Sequence, residues 1–263
     1  MIVELGNRSL IKVSGKDAED FLHSQLSNDI KNLDPNSVQI NAYCQHQGKI
    51  VAILWVFKRK SSFYISLPAT LKEKILKRLT MFRLMSQVDI EDFSEKVYQY
   101  GLIKEDTQNS FKLTNNLSLL TTRKILTDLQ DNSYWELECV NEGLPEIYLD
   151  ISEKHIPQAL NLDINQIGVS FTKGCYPGQE VVARMHYLGK PKRRLFKFTS
   201  TFEVLIGDTL NVNDSKSLKA SGEVIRAVYS GKEFQFLGVF EVGHINDHIF
   251  LNNDQNKLFN IIV

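Results

Sequence analysis

A sulfur, an amine, a guanidinium and a carboxylate crowd one short stretch of this chain, FTKGCYPGQEVVARMHYLGKPKRRL, residues 171–195. Cys175 is one of only three cysteines. It sits in a tight connection. Gly174 and Gly178 can take backbone angles closed to other residues, and Pro177 stiffens the segment between them. Gln179 to Met185 is compatible with a helix, and Glu180 and Arg184 stand four apart in the order that favours an ion pair. A helix starting near Gly178 leaves Cys175 just outside its N-terminus, where backbone dipoles and Lys173 stabilise a thiolate. In such settings a cysteine pKa falls from about 8.5 into the range of roughly 3.5–7.5. The turn then presents a reactive or ligating sulfur. The alternative is a small buried cysteine filling a strand-to-helix turn.

Cys44 and Cys139 complete an odd, widely spaced set that argues against a disulfide framework. No C-x-x-C occurs, which excludes a four-cysteine zinc or iron–sulfur site within one chain. The histidines form no H-E-x-x-H pair. His244 and His248 are four apart, but Gly243 and Asn246 argue against a helix there. Lys+Arg and Asp+Glu both number 31, so attraction to nucleic acid or an anionic membrane is not a global property. A local basic cluster remains: Lys190, Lys192, Arg193, Arg194 and Lys197. It reads as a tRNA phosphate contact, as a solvated linker, or as a holder for an anionic tail. The linker reading is preferred, because the chain is neutral and the segment lacks paired exposed aromatics for base stacking. The N-terminus is not a signal peptide, and the longest apolar run, Ile50 to Phe57, is too short to span a bilayer. A cytoplasmic location and no membrane partner follow by default.

The elements that must position the cysteine turn are mixed. The chain has 263 residues, 43% of them apolar and 24% charged, enough for a real core. RSLIKVS (8–14) alternates like a strand, and KDAEDFLHSQL suits a helix with acids at its positive end. VQINAYCQ, HQGK and KIVAILWVFK read as strand, turn and strand, with FYISLP as a third strand. Ala69 to Leu84 is helical in period. Strands follow around SQVDIE and within 94–128, then loop and short helix over 135–165. IGVSF, ending at Phe171, reads as a buried strand. After Pro191, RLFKFTS, EVLIG, SGEVIRAVYS, FQFLGVFEV and KLFNIIV read as a small β-barrel. The expected class is α+β, divided into residues 1–192 and a barrel over 193–263.

K-G-C-Y-x-G-Q-E-x-x-x-R, Lys173 to Arg184, resembles the signature of the YgfZ family of folate-binding proteins, relatives of the glycine-cleavage T-protein, an aminomethyltransferase. HIPQALNLDINQIGVSFTKGC resembles the family's approach to it. GKDAEDFLHSQLSNDIKNL resembles the N-terminal helix with its Q-x-x-x-D segment, here Gln25 and Asp29, and AYCQHQGKIVAILWVFK resembles the strand pair that follows. The resemblance implies subdomains around a central folate-sized hole, ending in a β-barrel. It implies a role in making or maintaining iron–sulfur clusters in client proteins, including enzymes that thiolate tRNA. Cys175 then acts as the thiolate, with Lys173 and Arg184 supplying positive charge. Gly174 and Gly178 shape the turn, and Tyr176, Gln179 and Glu180 fix it or touch a ligand.

The implied cofactor is tetrahydrofolate or a derivative. A pterin offers a flat ring and a polar edge that a carboxylate can accept from, and an aromatic face can stack on it. Trp135, in YWELECVNEGLPEI, is the stacking candidate, with Asn141 or Glu142 at the polar edge; ordinary core is the alternative for Trp135. Gln25, Asn28 and Asp29 are further cavity candidates. The chain departs from the T-protein at Gly48-Lys49-Ile50-Val51-Ala52, which lacks the acid that follows the T-protein's glycine, and at Asn141, where that pattern has an acid. Three functions therefore compete: a folate-binding assembly factor using Cys175, a folate-dependent one-carbon transferase, and a non-catalytic RNA-binding or scaffold protein. The missing acids speak against the second and the zero net charge against the third.

Overall fold

The computed structural model describes residues 1–212, 220–252 and 254–262. The N-terminal part opens with β1 (Ile2–Glu4), β2 (Arg8–Ser14), α1 (Ala18–Gln25), β3 (Gln39–Cys44), β4 (Ile50–Arg59) and β5 (Ser62–Pro68). Next come α2 (Lys72–Arg83), β6 (Asp89–Asp92), β7 (Tyr98–Ile103), β8 (Ser110–Lys112), β9 (Leu117–Thr122) and α3 (Asn132–Asn141). A long connection of short 3-10 turns leads to α4 (Gln179–Leu188). The remaining strands are β10 (Arg193–Ser200), β11 (Thr209–Val212), β12 (Gly222–Tyr229), β13 (Phe234–Glu241), β14 (Ile249–Leu251) and β15 (Asp254–Ile262).

Two sheets organise the first part, in the orders β3-β4-β5-β2-β6 and β1-β7-β9-β8. β4 explains why they meet. Ile50 to Phe57 are all buried, and a strand buried on both faces reads as a continuous apolar run rather than an alternation. Trp55 meets Trp135 of α3, with ring centroids 6.2 Å apart, and Phe57 meets Phe111 of β8 at 4.5 Å. Each such fully buried side chain contributes about 1.5–3 kcal/mol. Burial of Phe21 and Leu22 of α1 and Ile75 and Leu79 of α2 completes the same core.

The C-terminal strands pair in the cyclic order β10-β13-β12-β11-β14-β15, β10 pairing with both β13 and β15. Phe198, Leu210, Val224, Phe236 and Phe240 fill a second core, while Leu195, Ile225, Leu237 and Val239 join the first. Alternate side chains of these strands therefore serve two cores, as the two-residue period requires. A buried ionic cluster ties the parts together. Arg8 donates to Glu146, and Arg226 of β12 lies 3.0 Å from Glu136 and 3.9 Å from Glu146.

Two expected strands do not form. EVLIG precedes β11 as a turn-containing connection. IGVSF is buried over Gly168–Ser170 but runs as an irregular strap. Its polar backbone is satisfied by Ser27, whose hydroxyl donates to Gly168 O at 2.5 Å and whose carbonyl accepts from Ser170 N at 3.0 Å. A pairing across that distance in sequence leaves no local periodicity to read.

Candidate functional site

The cysteine turn is held from two sides by the N-terminal half. On one side Gly178 precedes α4 with φ +81°, a left-handed conformation that glycine tolerates best. A Cβ there would collide with Gln45 O and stand 2.7 Å from Gly48 Cα, so the β3–β4 turn and the start of α4 touch backbone to backbone. Gly174 has no positive φ, so of the two glycines able to take such angles only Gly178 does.

On the other side Lys173 reaches into the end of α1. It is 8% exposed. Its ammonium donates to His23 O and to Leu26 O at 2.5 Å, and it lies 5.1 Å from the centre of the Tyr176 ring. These carbonyls form the negative end of α1, where orphan acceptors collect. Burial pushes the Lys173 pKa down to about 8, opposed by the charges of Asp29 and Cys175. His23 was not foreseen as a site residue. Its Nδ1 lies 3.2 Å from Asp29 Oδ1, and a Cβ on Gly174 would stand 3.9 Å from its Nε2. Burial and the Lys173 charge hold its pKa down. Asp29 is only six residues away, but what brings His23 to the cysteine turn is Lys173 and Gly174, which lie far along the chain.

Cys175 is exposed, while Cys44 and Cys139 are buried. Burial pushes both inner thiols up to about 12. Among the described residues no group of three His, Cys, Asp or Glu could hold a metal ion. The site thus offers one accessible sulfur beside one buried cation. Tyr176 is buried, and burial raises its phenol well above the usual range. Gln179 N donates to Tyr176 O at 3.1 Å, closing the turn. Glu180 and Arg184 are both exposed, and among the described residues no ion pair joins them. The spacing allowed that contact, but two solvated side chains gain little from it.

The folate candidates separate. Trp135 is 1% exposed, packed against Trp55 and so close to Gly101 that a Cβ there would overlap its ring. It is core, and no face is left for a ligand. Asn141 is exposed and accepts from Lys197 Nζ at 2.6 Å, which ties α3 to β10. Glu142, which accepts from Asn116, lines a hollow of about 420 Å³ with Lys112, Leu113 and Ile167. A second hollow of about 230 Å³ shares Ser37, Val38, Leu113 and Ile167 with it. Asn28 Nδ2 donates to Ile167 O at 3.3 Å. Asp29 O accepts from Gln39 of the second hollow at 2.8 Å. The structure therefore brings Asn28, Asp29 and Glu142 to one region. Gln25 is half-buried at the end of α1, its Oε1 buried with no hydrogen bond.

This mixed α/β chain has the T-protein fold. An aminomethyltransferase T of the glycine cleavage system from Bartonella henselae superposes with a TM-score of 0.73 at 14% identity, covering 99% of this chain and 84% of that one. Sequence relatives narrow the class. An uncharacterised protein of Haemophilus influenzae is 30% identical over 86% of this chain and 84% of its own length. The tRNA-modifying protein YgfZ of Colwellia psychrerythraea is 29% identical over 77% of this chain and 72% of its own. That of Aliivibrio fischeri is 27% identical over 97% and 86%. This chain belongs to the YgfZ family. No family model matches it. Among the described residues no helix is long and apolar enough to cross a membrane.

Proposed function

We propose that this protein binds a tetrahydrofolate and supports tRNA modification by assisting iron–sulfur cluster assembly or repair in client enzymes, with Cys175 lending the thiolate. The observation that carries the reading is the pairing of an exposed Cys175 with a buried Lys173 ammonium, which the α1 carbonyls hold in place while its charge acts on the sulfur. One accessible thiolate cannot hold a cluster alone but can take one coordination position on iron and release it to the client's own ligand. The cluster is cargo here. Lys173 keeps positive charge beside the sulfur, and the Gly48–Gly178 contact fixes the turn. Arg184 offers further charge at the surface. The names of the relatives support the tRNA side of the reading.

The residues around Ile167 fit a folate. Glu142 can accept from a pterin edge, Lys112 can face the anionic tail, and Val38, Leu113 and Ile167 offer aliphatic faces to a flat ring. In this reading the hollows belong to the central opening around which T-protein subdomains are arranged, with residues 193–263 as the closing barrel. When bound, a tetrahydrofolate supplies one-carbon or reducing chemistry. The absence of an acid after Gly48 speaks against aminomethyl transfer, and a glycine-cleavage assay with this chain as the sole T-protein is expected to show no turnover.

The deciding experiment replaces Cys175 with Ala in a cytoplasmic complementation test. In a strain lacking its YgfZ, the wild-type chain restores tRNA thiolation and cluster-enzyme activity and C175A does not. Full rescue by C175A removes the sulfur from the mechanism.

A further inference from the structure

The basic cluster that ends the cysteine segment divides sharply in the fold. Arg193 is paired with Glu241 at 3.0 Å, Arg194 with Asp163 at 2.6 Å, and Lys197 with Asn141. These three are structural. Lys190 and Lys192 are exposed and, among the described residues, meet no carboxylate; Arg184, on α4, is the same. Both lysines line a cleft of about 480 Å³ with Met185 and Ile156 on its wall. Its carboxylate, Glu241, is already engaged by Arg193.

Three rings lie near these cations in the chain: His186 and Tyr187 are exposed, and Phe171 is half-buried against the core. Phe171 and His186 stack with centroids 3.7 Å apart and planes 13° from parallel. Tyr187 stands edge-on to both, at 6.2 and 4.9 Å, and is 66% exposed. The linker reading rests on a neutral chain and on a lack of aromatics in the segment; the charge balance is unchanged, but the fold supplies rings from α4 and from the strap before the cysteine. Three unpaired cations around exposed rings match a ligand with regularly spaced anions and flat, unpaired faces. A duplex hides its base faces, and an acidic peptide has none.

We propose that α4 and the linker after it form a binding site for unpaired RNA, with Arg184, Lys190 and Lys192 on phosphates and the Phe171–His186–Tyr187 group stacking a base. Apart from Arg184, this site shares no residue with the chemistry assigned to Cys175. Stacking of a base on an aromatic ring changes affinity by about five- to a hundredfold. Three phosphate contacts on a single strand give a logarithmic salt slope of about −2, a loss of roughly twentyfold between 50 and 200 mM salt.

The test is fluorescence anisotropy of the full chain with a labelled twelve-nucleotide single-stranded RNA, the same sequence as a duplex, and polyglutamate. The single strand is expected to bind tightest, with that salt slope. Tyr187→Ala should weaken it at least fivefold and Lys190→Glu/Lys192→Glu at least tenfold, each with an unchanged melting curve. C175A should bind like wild type, so failure of the cysteine mechanism and failure of this site read out separately. No binding at 50 mM salt overturns the proposal. So does binding of duplex or polyglutamate as tight as the single strand, or a Y187A variant that binds RNA like wild type.

Discussion

Replacing Lys173 with Met tests whether its charge is held against a cost. The ammonium is buried, and its proton affinity falls from the ordinary 10.5 to about 8. At about 1.4 kcal/mol for each tenfold change, that is about 3 kcal/mol against the charged form. K173M removes this cost but leaves His23 O and Leu26 O without their donor, about 1–3 kcal/mol each, so stability at pH 7 discriminates poorly. The pH dependence does discriminate. Below about pH 8 native and unfolded chains both hold the proton. Between about 8 and 10.5 the native chain releases it while the unfolded chain keeps it, so the unfolded state binds more protons and stability rises with pH. Urea unfolding at pH 7 to 10.5 should show wild type gaining up to about 3 kcal/mol relative to K173M. The same ammonium attracts an ionised Cys175 sulfur, so K173M should also slow alkylation of Cys175 at pH 7. A wild-type-minus-variant difference that stays flat, or falls, between pH 8 and 10.5 refutes the burial argument.

Native-state iodoacetamide labelling read by mass spectrometry should give one adduct, at Cys175, with the buried Cys44 and Cys139 labelled only in urea. Three adducts on the native chain would mean that the inner thiols are open. Gly178→Ala places a Cβ at positive φ and against Gly48 Cα and Gln45 O; backbone strain of about 1–2 kcal/mol and overpacking of about 1–3 kcal/mol should lower the Tm by roughly 5–15 °C. Glu146→Ala leaves Arg8 and part of the Arg226 charge uncompensated in the interior, and should cost about 3–5 kcal/mol in urea unfolding. A loss below 1 kcal/mol would show that water reaches those guanidiniums.

What the sequence disclosed follows from the range of the interactions. The start of α4, the β3–β4 hairpin and the strands β10, β12 and β13 depend on neighbours within a few residues, through glycine, charge order and the two-residue period, and are legible, whereas EVLIG forms no strand and β11 and β14 carry no such local pattern. Trp135 is not legible. Its helix buries Cys139 and Val140 together with it, and nothing in YWELECV says whether the ring faces a ligand or Gly101 and Trp55. IGVSF has the composition of a buried strand, but a strand needs a paired neighbour, and the neighbour here is Ser27, which makes contacts too few to form a ladder. The Arg8–Glu146–Arg226 cluster joins residues that no window brings together.

The same distinction explains the site. Local sequence placed Cys175 in a turn before a helix, but a turn alone leaves a sulfur free to move. Its placement comes from two remote contacts: the backbone approach of Gly48 to Gly178 and the reach of Lys173 to the last carbonyls of α1. Both partners, the β3–β4 turn and the end of α1, belong to the N-terminal segments that also resemble the family. Their presence in one chain with the cysteine signature therefore has a mechanical reason. Without that hairpin and that helix end, Lys173 has no carbonyls to bind and the turn has no wall, so the N-terminal half forms part of the cysteine site itself. Exposure of Cys175 is then a fixed property of the fold rather than the freedom of a loop.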